Sequence, residues 1–286
     1  ATAWRTFETV NRDDEDGTNR PALYFDTANI EDNTSFYQEF KFSGQSDAVD
    51  WVAGVSYYSE DAKQASDTHA FTDSIDTVLR NLGLVGTPDG TLFGFTSDVL
   101  AAYQIPLTMR GLPWREVMNN EGTFEATALF GDVIWHATDR MNVTFGLRYT
   151  HDEKEFSWLN GPRQAPELDA TVAALEAGGF FADPAWPIPP EAYNFDVVFA
   201  FPPINGQEIE GQKVKLQDSW DDISPRLVID YRVTSDVMVF GSLAKGYKAG
   251  GFNSVQPLSR FDNEDVWNVE GGVKSLFADL GLIVNA

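Results

Sequence analysis

Residues 123–155, TFEATALFGDVIWHATDRMNVTFGLRYTHDEKE, constrain this chain more than any other stretch. They divide into two extended arms joined by a very short turn, Thr138-Asp139-Arg140. In the second arm Val143, Phe145, Leu147 and Tyr149 alternate with Asn142, Thr144, Gly146 and Arg148. Successive side chains of a strand point to opposite faces, so one face is apolar and the other polar. Each arm predicts a strand of roughly 12–15 residues, against about 5–6 in a typical soluble sheet. A tilted strand crosses a bilayer in about 9–11 residues. The hairpin therefore predicts a strand pair whose apolar face meets lipid and whose polar face lines a barrel.

Composition narrows the alternatives. The chain has 286 residues, enough for one large domain or two ordinary ones. It has no Cys, so neither a disulfide framework nor a thiolate metal site can form. Its 44 acidic and 20 basic residues give a net charge of -24, which argues against nucleic acid and against docking on an anionic membrane surface. No apolar run approaches the roughly 18 residues of a transmembrane helix. A mean hydropathy of -0.27 still suits a barrel, because half of each strand is polar and the loops are wet.

Taken in order, the chain repeats the hairpin pattern. In the first full hairpin, at 34–61, Phe36, Phe40 and Phe42 share one parity, with Gln38 breaking it, and Glu39, Lys41 and Ser43 share the other. Trp51, Ala53, Val55 and Tyr57 are the apolar parity of its return arm. A third hairpin covers 220–248, with Ile223, Pro225, Leu227, Ile229 and Tyr231 on one face. In 265–275, Trp267, Val269, Gly271 and Val273 oppose Asn268, Glu270, Gly272 and Lys274. Between these lie a polar connection at 11–33 and long insertions at 62–122 and 157–218. Asp73-Ser74 is positioned to cap a helix carrying Ile75, Val78, Leu79 and Leu82, with Gly83 as its stop. Ser97 is placed to cap a second helix through Tyr103, and Pro166 opens a third that ends at Gly178-Gly179.

Short turns near 46–49, 138–140, 234–236 and 278–280 alternate strictly with long loops at 11–33, 62–122, 157–218 and 249–264. Outer-membrane barrels place short turns on the periplasmic side and long loops outside. Trp51, Trp135 and Tyr231 fall beside the short turns, while Tyr149 and Trp267 fall toward the long loops, as two interfacial girdles would. The expected fold is all-β: an antiparallel up-and-down transmembrane barrel with long loops that carry short helices. Residues 1–10 read as a strand entered part-way and 281–286 as the start of another. The whole of 1–286 is accordingly expected to be one stretch of a larger barrel domain.

Five blocks together carry a family resemblance: FYQEFKFSG at 36–44, DWVAGVSYYSED at 50–61, ALFGDVIWHATDRMNVTFGLRYTHDEKEF at 128–156, SPRLVIDYRVTSDVMVFGSLAKGYKAGGFN at 224–253 and VWNVEGGVKS at 266–275. In order and spacing they closely resemble the barrel of TonB-dependent outer-membrane receptors. The resemblance covers the strands and short turns but not the two long insertions. It implies a 22-stranded barrel around a plug, of which about nine strands are legible here. The plug with its energy-coupling box, and the last strand with its terminal aromatic, have no counterpart in these residues. It also implies active uptake of a bulky nutrient, energised through the plug by the inner-membrane TonB complex. A ferric siderophore is the leading ligand class in the family, with vitamin B12, haem and carbohydrate as the others. A passive diffusion channel is the alternative function.

The residues themselves offer one ligand surface. Phe180, Phe181, Trp186, Tyr193, Phe195, Phe199 and Phe201 crowd the second insertion, with Tyr247 and Phe252 at the rim. Such aromatics suit a bulky organic ligand, or else cover one another to order the loop. No catalytic group, cofactor or metal is expected. His69, His136 and His151 are widely separated, and although His136 shares a strand face with Asp132, the pattern lacks a nucleophile elbow. Asp13, Asp14, Glu15 and Asp16 do not match a calcium loop, since Gly17 falls one place late. Ala249-Gly250-Gly251-Phe252-Asn253 leads into no helix and so reads as a bend rather than a phosphate cradle. Arg148, Arg226, Glu270 and Lys274 all fall on polar strand faces.

Overall fold

The computed structural model describes every residue except 201–202, 204–208 and 278–280. Phe201 and the turn expected near 278–280 therefore lie outside the described residues. Nine strands form one antiparallel meander: β1 (Thr2–Asp14), β2 (Phe25–Gln45), β3 (Val49–Phe71), β4 (Pro113–Thr138), β5 (Met141–Asn160), β6 (Lys213–Arg232), β7 (Val237–Lys248), β10 (Glu264–Phe277) and β11 (Leu282–Asn285). β8 (Gly251–Phe252) and β9 (Arg260–Phe261) make a separate two-stranded ribbon. The main sheet is an open segment of barrel wall, with β1 and β11 at its edges. Segments 46–48, 139–140 and 233–236 turn at one end, and 15–24, 72–112, 161–212 and 249–263 connect at the other.

Cross-strand rows locate the membrane. On the outward face Trp51, Val133, Phe145 and Leu227 form one row, and Phe40, Val55, Leu129, Tyr149 and Ile223 another. Phe42 is 66% exposed and Val269 is 78% exposed, which a large apolar side chain tolerates where its surroundings are lipid. The next row outward, Gln38, Tyr57, Thr127, His151 and Asp221, is polar, and the row beyond it holds Glu125 and Glu153. From Met141 to Tyr149 the strand advances about 26 Å at about 3.3 Å per residue. A tilt of about 40° reduces this to about 20 Å of height from the Tyr231 level to Tyr149, the same order as the roughly 25 Å apolar band of such barrels.

The inward face is polar and carries its cations beside a carboxylate or an aromatic ring. The Arg226 guanidinium lies 3.6 Å from Asp132, Arg148 sits over the Phe130 ring at 5.6 Å, and Lys274 over Phe240 at 5.2 Å. A cation on the lipid face near mid-membrane would cost about 2–4 kcal/mol, so the parity of these residues is fixed by solvation.

The strands are longer than their alternation predicts. The arms of the central hairpin have 26 and 20 residues, and the first insertion begins at 72 rather than 62 and ends at 112 rather than 122. The second runs over 161–212, and the connection expected at 11–33 shrinks to 15–24. Above the lipid both sheet faces are polar, so the period-two signal fades. The hydrogen-bonded ladder nevertheless continues, as in Asp32–Lys63–Glu121.

Candidate functional site

Insertions 72–112 and 161–212 fold into one body on the long-loop rim. Helix α1 (Thr72–Leu82) buries Ile75 and Leu79 on one face and stops at Gly83, whose φ of 65° favours glycine. Asp73 lies in its first turn rather than at the cap, and the Ser74 hydroxyl accepts from the Phe71 N–H at 3.4 Å. Helix α2 runs over Phe93–Ala102, earlier than expected. Ser97 therefore sits inside it, donating back to the Phe93 carbonyl at 2.7 Å and accepting from the Met109 N–H at 2.9 Å. The start of α2 is held instead by Asp76 of α1, which accepts from Leu92, Phe93 and Gly94 N–H at 2.7, 3.0 and 2.7 Å. Burial raises the pKa of Asp76, and these three bonds oppose the rise. Helix α3 (Pro166–Ala177) starts at Pro166 as predicted and buries Leu168 and Leu175.

Phe93 centres the body's core. Its ring stacks on Phe195 at 6.2 Å and meets Trp114 edge-on at 6.0 Å and Tyr193 at 6.2 Å. The Tyr193 hydroxyl shares a 2.8 Å hydrogen bond with Thr96, and burial pushes its pKa up to about 12. The body is fastened to the wall by Glu116 of β4, which is wholly buried. Its carboxylate accepts from the Trp114 indole at 2.7 Å and from three successive backbone N–H groups, Val197, Val198 and Phe199, at 2.8, 2.9 and 2.9 Å. Beside it Arg163 donates to Asp169 at 2.7 Å and to the Tyr193 carbonyl at 3.0 Å, with its guanidinium 5.0 Å from the Trp114 ring centre. Asp196 accepts from the Arg163 N–H at 2.8 Å. Burial, with Glu116 and Glu210 nearby, pushes its pKa up to about 6.

The expected aromatics separate into three groups. Tyr193 and Phe199 are buried, so their surfaces belong to the cores of the body and the rim and are closed to a ligand in this conformation. Phe180, Phe181, Trp186 and Phe195 are half-buried. Trp186 stacks on Phe95 at 5.9 Å and touches Phe180 at 4.9 Å. Phe252 of β8 packs onto the barrel wall, against Phe156, Trp158 and Trp220 at 6.1–6.2 Å, in the cluster that also holds Phe199. Tyr247 lies near the end of β7, opposite Asp265 of β10.

Two apolar grooves flank the Phe95–Trp186 stack. One, of about 490 Å³, runs between Leu84, Pro88, Leu92 and Ile188. The other, of about 540 Å³, runs between Val99, Tyr103, Ile105 and Phe180. Phe95 and Pro187 border both. Sequence reasoning missed the α2 side of these grooves. The available signal was the apolar character of FGFTSDVLAAY all round the helix, which one buried face does not require.

The remaining candidates find other partners. The His136 ring lies 2.9 Å from Asn142 and 3.2 Å from Asp50, whereas Asp132 of the same strand turns to Arg226. His69 meets Asp67 at 3.2 Å and His151 meets Asp221 at 2.9 Å. Asp14 and Asp16 accept from Gly17 and Thr18 N–H and so close their own turn. Among the described residues no group of three His, Asp or Glu side chains converges as a metal site would require. The glycine bend at 249–253 is held by Lys154 Nζ donating to the Gly250 carbonyl at 2.7 Å, which fits a rim bend.

Comparison with known proteins agrees with this architecture. The family described as TonB dependent receptor-like, beta-barrel, matches residues 2–286. Among solved structures the chain is similar to the ferric yersiniabactin uptake receptor FyuA from Yersinia pestis, with a TM-score of 0.54 and 17% identity. The match covers 97% of this chain and 30% of the receptor, so the chain spans under a third of that protein's length. At that identity the likeness is one of fold.

Proposed function

Because the chain belongs to the TonB-dependent receptor β-barrel family, we propose that it is part of an outer-membrane receptor that captures a bulky nutrient and imports it with energy from the TonB complex. The rim body carries this reading: two long insertions share one core and leave two apolar grooves on either side of the Phe95–Trp186 stack. Grooves of about 300–1,000 Å³ suit a whole organic ligand. A ferric siderophore is the favoured class, in line with what the similar Yersinia receptor is named for. Half-buried Phe180, Phe181, Trp186 and Phe195 supply the aromatic surface, and Phe252 and Tyr247 lie further along the wall. The barrel wall performs no covalent step. Its work is to hold the loops outside and to enclose the plug that couples to the inner membrane.

The test uses the full-length receptor in its own membrane. Binding of ferric siderophores, vitamin B12, haem and oligosaccharides is measured by quenching of Trp fluorescence. Trp186→Ala should weaken the bound class by about tenfold, the loss of one aromatic contact of about 1.5 kcal/mol. Uptake should stop when the proton gradient is collapsed. Uptake that continues unchanged without the gradient would make the protein a passive channel and end the active-transport reading.

A further inference from the structure

The connection at 249–263 does not stay over the two strands it joins. β7 and β10 are neighbours in the sheet, yet the segment between them crosses the inner face of β6 and reaches β5 and β4. Lys154 Nζ donates to the Gly250 carbonyl at 2.7 Å, the Trp158 indole to the Asn253 carbonyl at 2.8 Å, and the Asn120 amide to the Ser254 carbonyl at 2.8 Å. Phe252 lies 6.2 Å from the Trp220 ring, and Arg260 pairs with Asp218. Asn120 shares its parity with Asp132, Lys154 and Trp158 share theirs with Arg148, and Asp218 and Trp220 share theirs with Arg226. All of these anchors therefore stand on the lumen face of the wall.

The strap lies directly below the rim body. Glu116, Met118 and Asn120 follow one another down the inner face of β4. Glu116 fastens the body at the top, and Asn120 holds the strap beneath it. Met118, between them, belongs to one cluster with Trp158 and Phe199, against which Val198 of the body and Phe252 and Leu258 of the strap pack. Leu258 has a φ of 58°, a left-handed conformation that favours glycine. Such a conformation persists only where its surroundings over-determine it, so loosening this cluster would favour release of the strap.

We propose that 249–263 is an inner gate, which must leave the wall before cargo held by the rim body passes down the lumen, and that capture itself does not need its release. The inference rests on the uptake reading given above. Cargo leaving the body inward meets the strap first, because both are fixed to the same lumen face. Among the described residues no member of the strap borders either apolar groove, so capture and passage fall to different segments. The shared cluster gives a shift of the body a packed route to the strap.

The test uses the full-length receptor in its host's outer membrane. Asn120→Cys and Ser254→Cys are joined by a short bis-methanethiosulfonate linker, which reductant removes, and the parent receptor is treated alike. Cells receive radioactive iron in the siderophores of the host's own spent medium. Bound iron is read without the proton gradient and imported iron with it. The linked receptor should bind iron within about twofold of the parent and import it at least about tenfold more slowly, with import restored by reductant. Lys154→Met, which removes one tie, should speed hydrogen exchange within 249–263 without slowing import, and it decides the matter if the linked pair fails to reach the membrane. Import at the parent rate with the linker in place, joint loss of binding and import, or slower import in Lys154→Met would each overturn the gate. A parent receptor that takes up no iron from the mixture would instead overturn the uptake reading on which the gate rests.

Discussion

Replacing Glu116 by Gln tests how the rim body is attached. The carboxylate accepts four N–H donors, from Trp114, Val197, Val198 and Phe199. An amide of the same shape has one acceptor oxygen, which serves two donors, and turns an NH₂ toward the other two. Two buried donors are then orphaned, at about 1–3 kcal/mol each. Relief from burying a charge returns only about 1 kcal/mol of this, because the four N–H bonds already offset most of the carboxylate's desolvation. The balance is a loss of about 3 kcal/mol, or a change of roughly 150-fold in the ratio of docked to undocked body. The barrel should be unaffected, because its ladder does not depend on Glu116 and opening is local. Hydrogen exchange on the full-length receptor reads this directly: amides of 197–199 should lose protection in the variant while those of 143–149 keep theirs. Unchanged protection at 197–199 would refute the role given to Glu116. Loss of protection throughout would show that body and barrel unfold as one unit.

Three further outcomes follow from the same contacts. Asp196 has a folded pKa of about 6 against an ordinary 3.8, so it favours the docked state below about pH 4, and that advantage is lost as pH rises through 6. Exchange at 193–199 should therefore be slower at pH 5 than at pH 7.5, after correction for intrinsic rates, by about threefold once solvent screening is allowed for, and Asp196→Asn should remove the difference. These 286 residues hold no Cys, so single cysteines placed here report topology against the labelling of the parent receptor: Asp89→Cys should add reaction with an impermeant maleimide on intact cells and Asp139→Cys should not. The reverse labelling pattern would invert the barrel. At Gly250 an added Cβ would lie 2.5 Å from both the Phe261 carbonyl and the Trp220 indole, so Gly250→Val should open the β8–β9 ribbon at a cost of about 1–3 kcal/mol, seen as new proteolysis within 249–263.

What the sequence by itself determined is the barrel wall inside the membrane. There lipid on one side and a polar interior on the other impose opposite demands on successive residues, so Val143–Tyr149 and Ile223–Tyr231 record the fold in their alternation. Local backbone chemistry was legible too: Gly83 ends α1 and Pro166 begins α3 where expected. Outside the membrane the record stops, because a strand wetted on both faces needs no alternation. β3 and β4 run ten residues beyond the point where the pattern fades. The candidate site was half legible for a related reason. Aromatic content marked 180–201 as unusual, but composition does not say which rings face a ligand and which face each other. Only tertiary structure decided that Tyr193 and Phe199 are interior while Trp186 is paired with Phe95 from the other insertion. Glu116 shows the same limit. In sequence it is one acid among 44, and its role depends on three amides brought to it from 81–83 residues away.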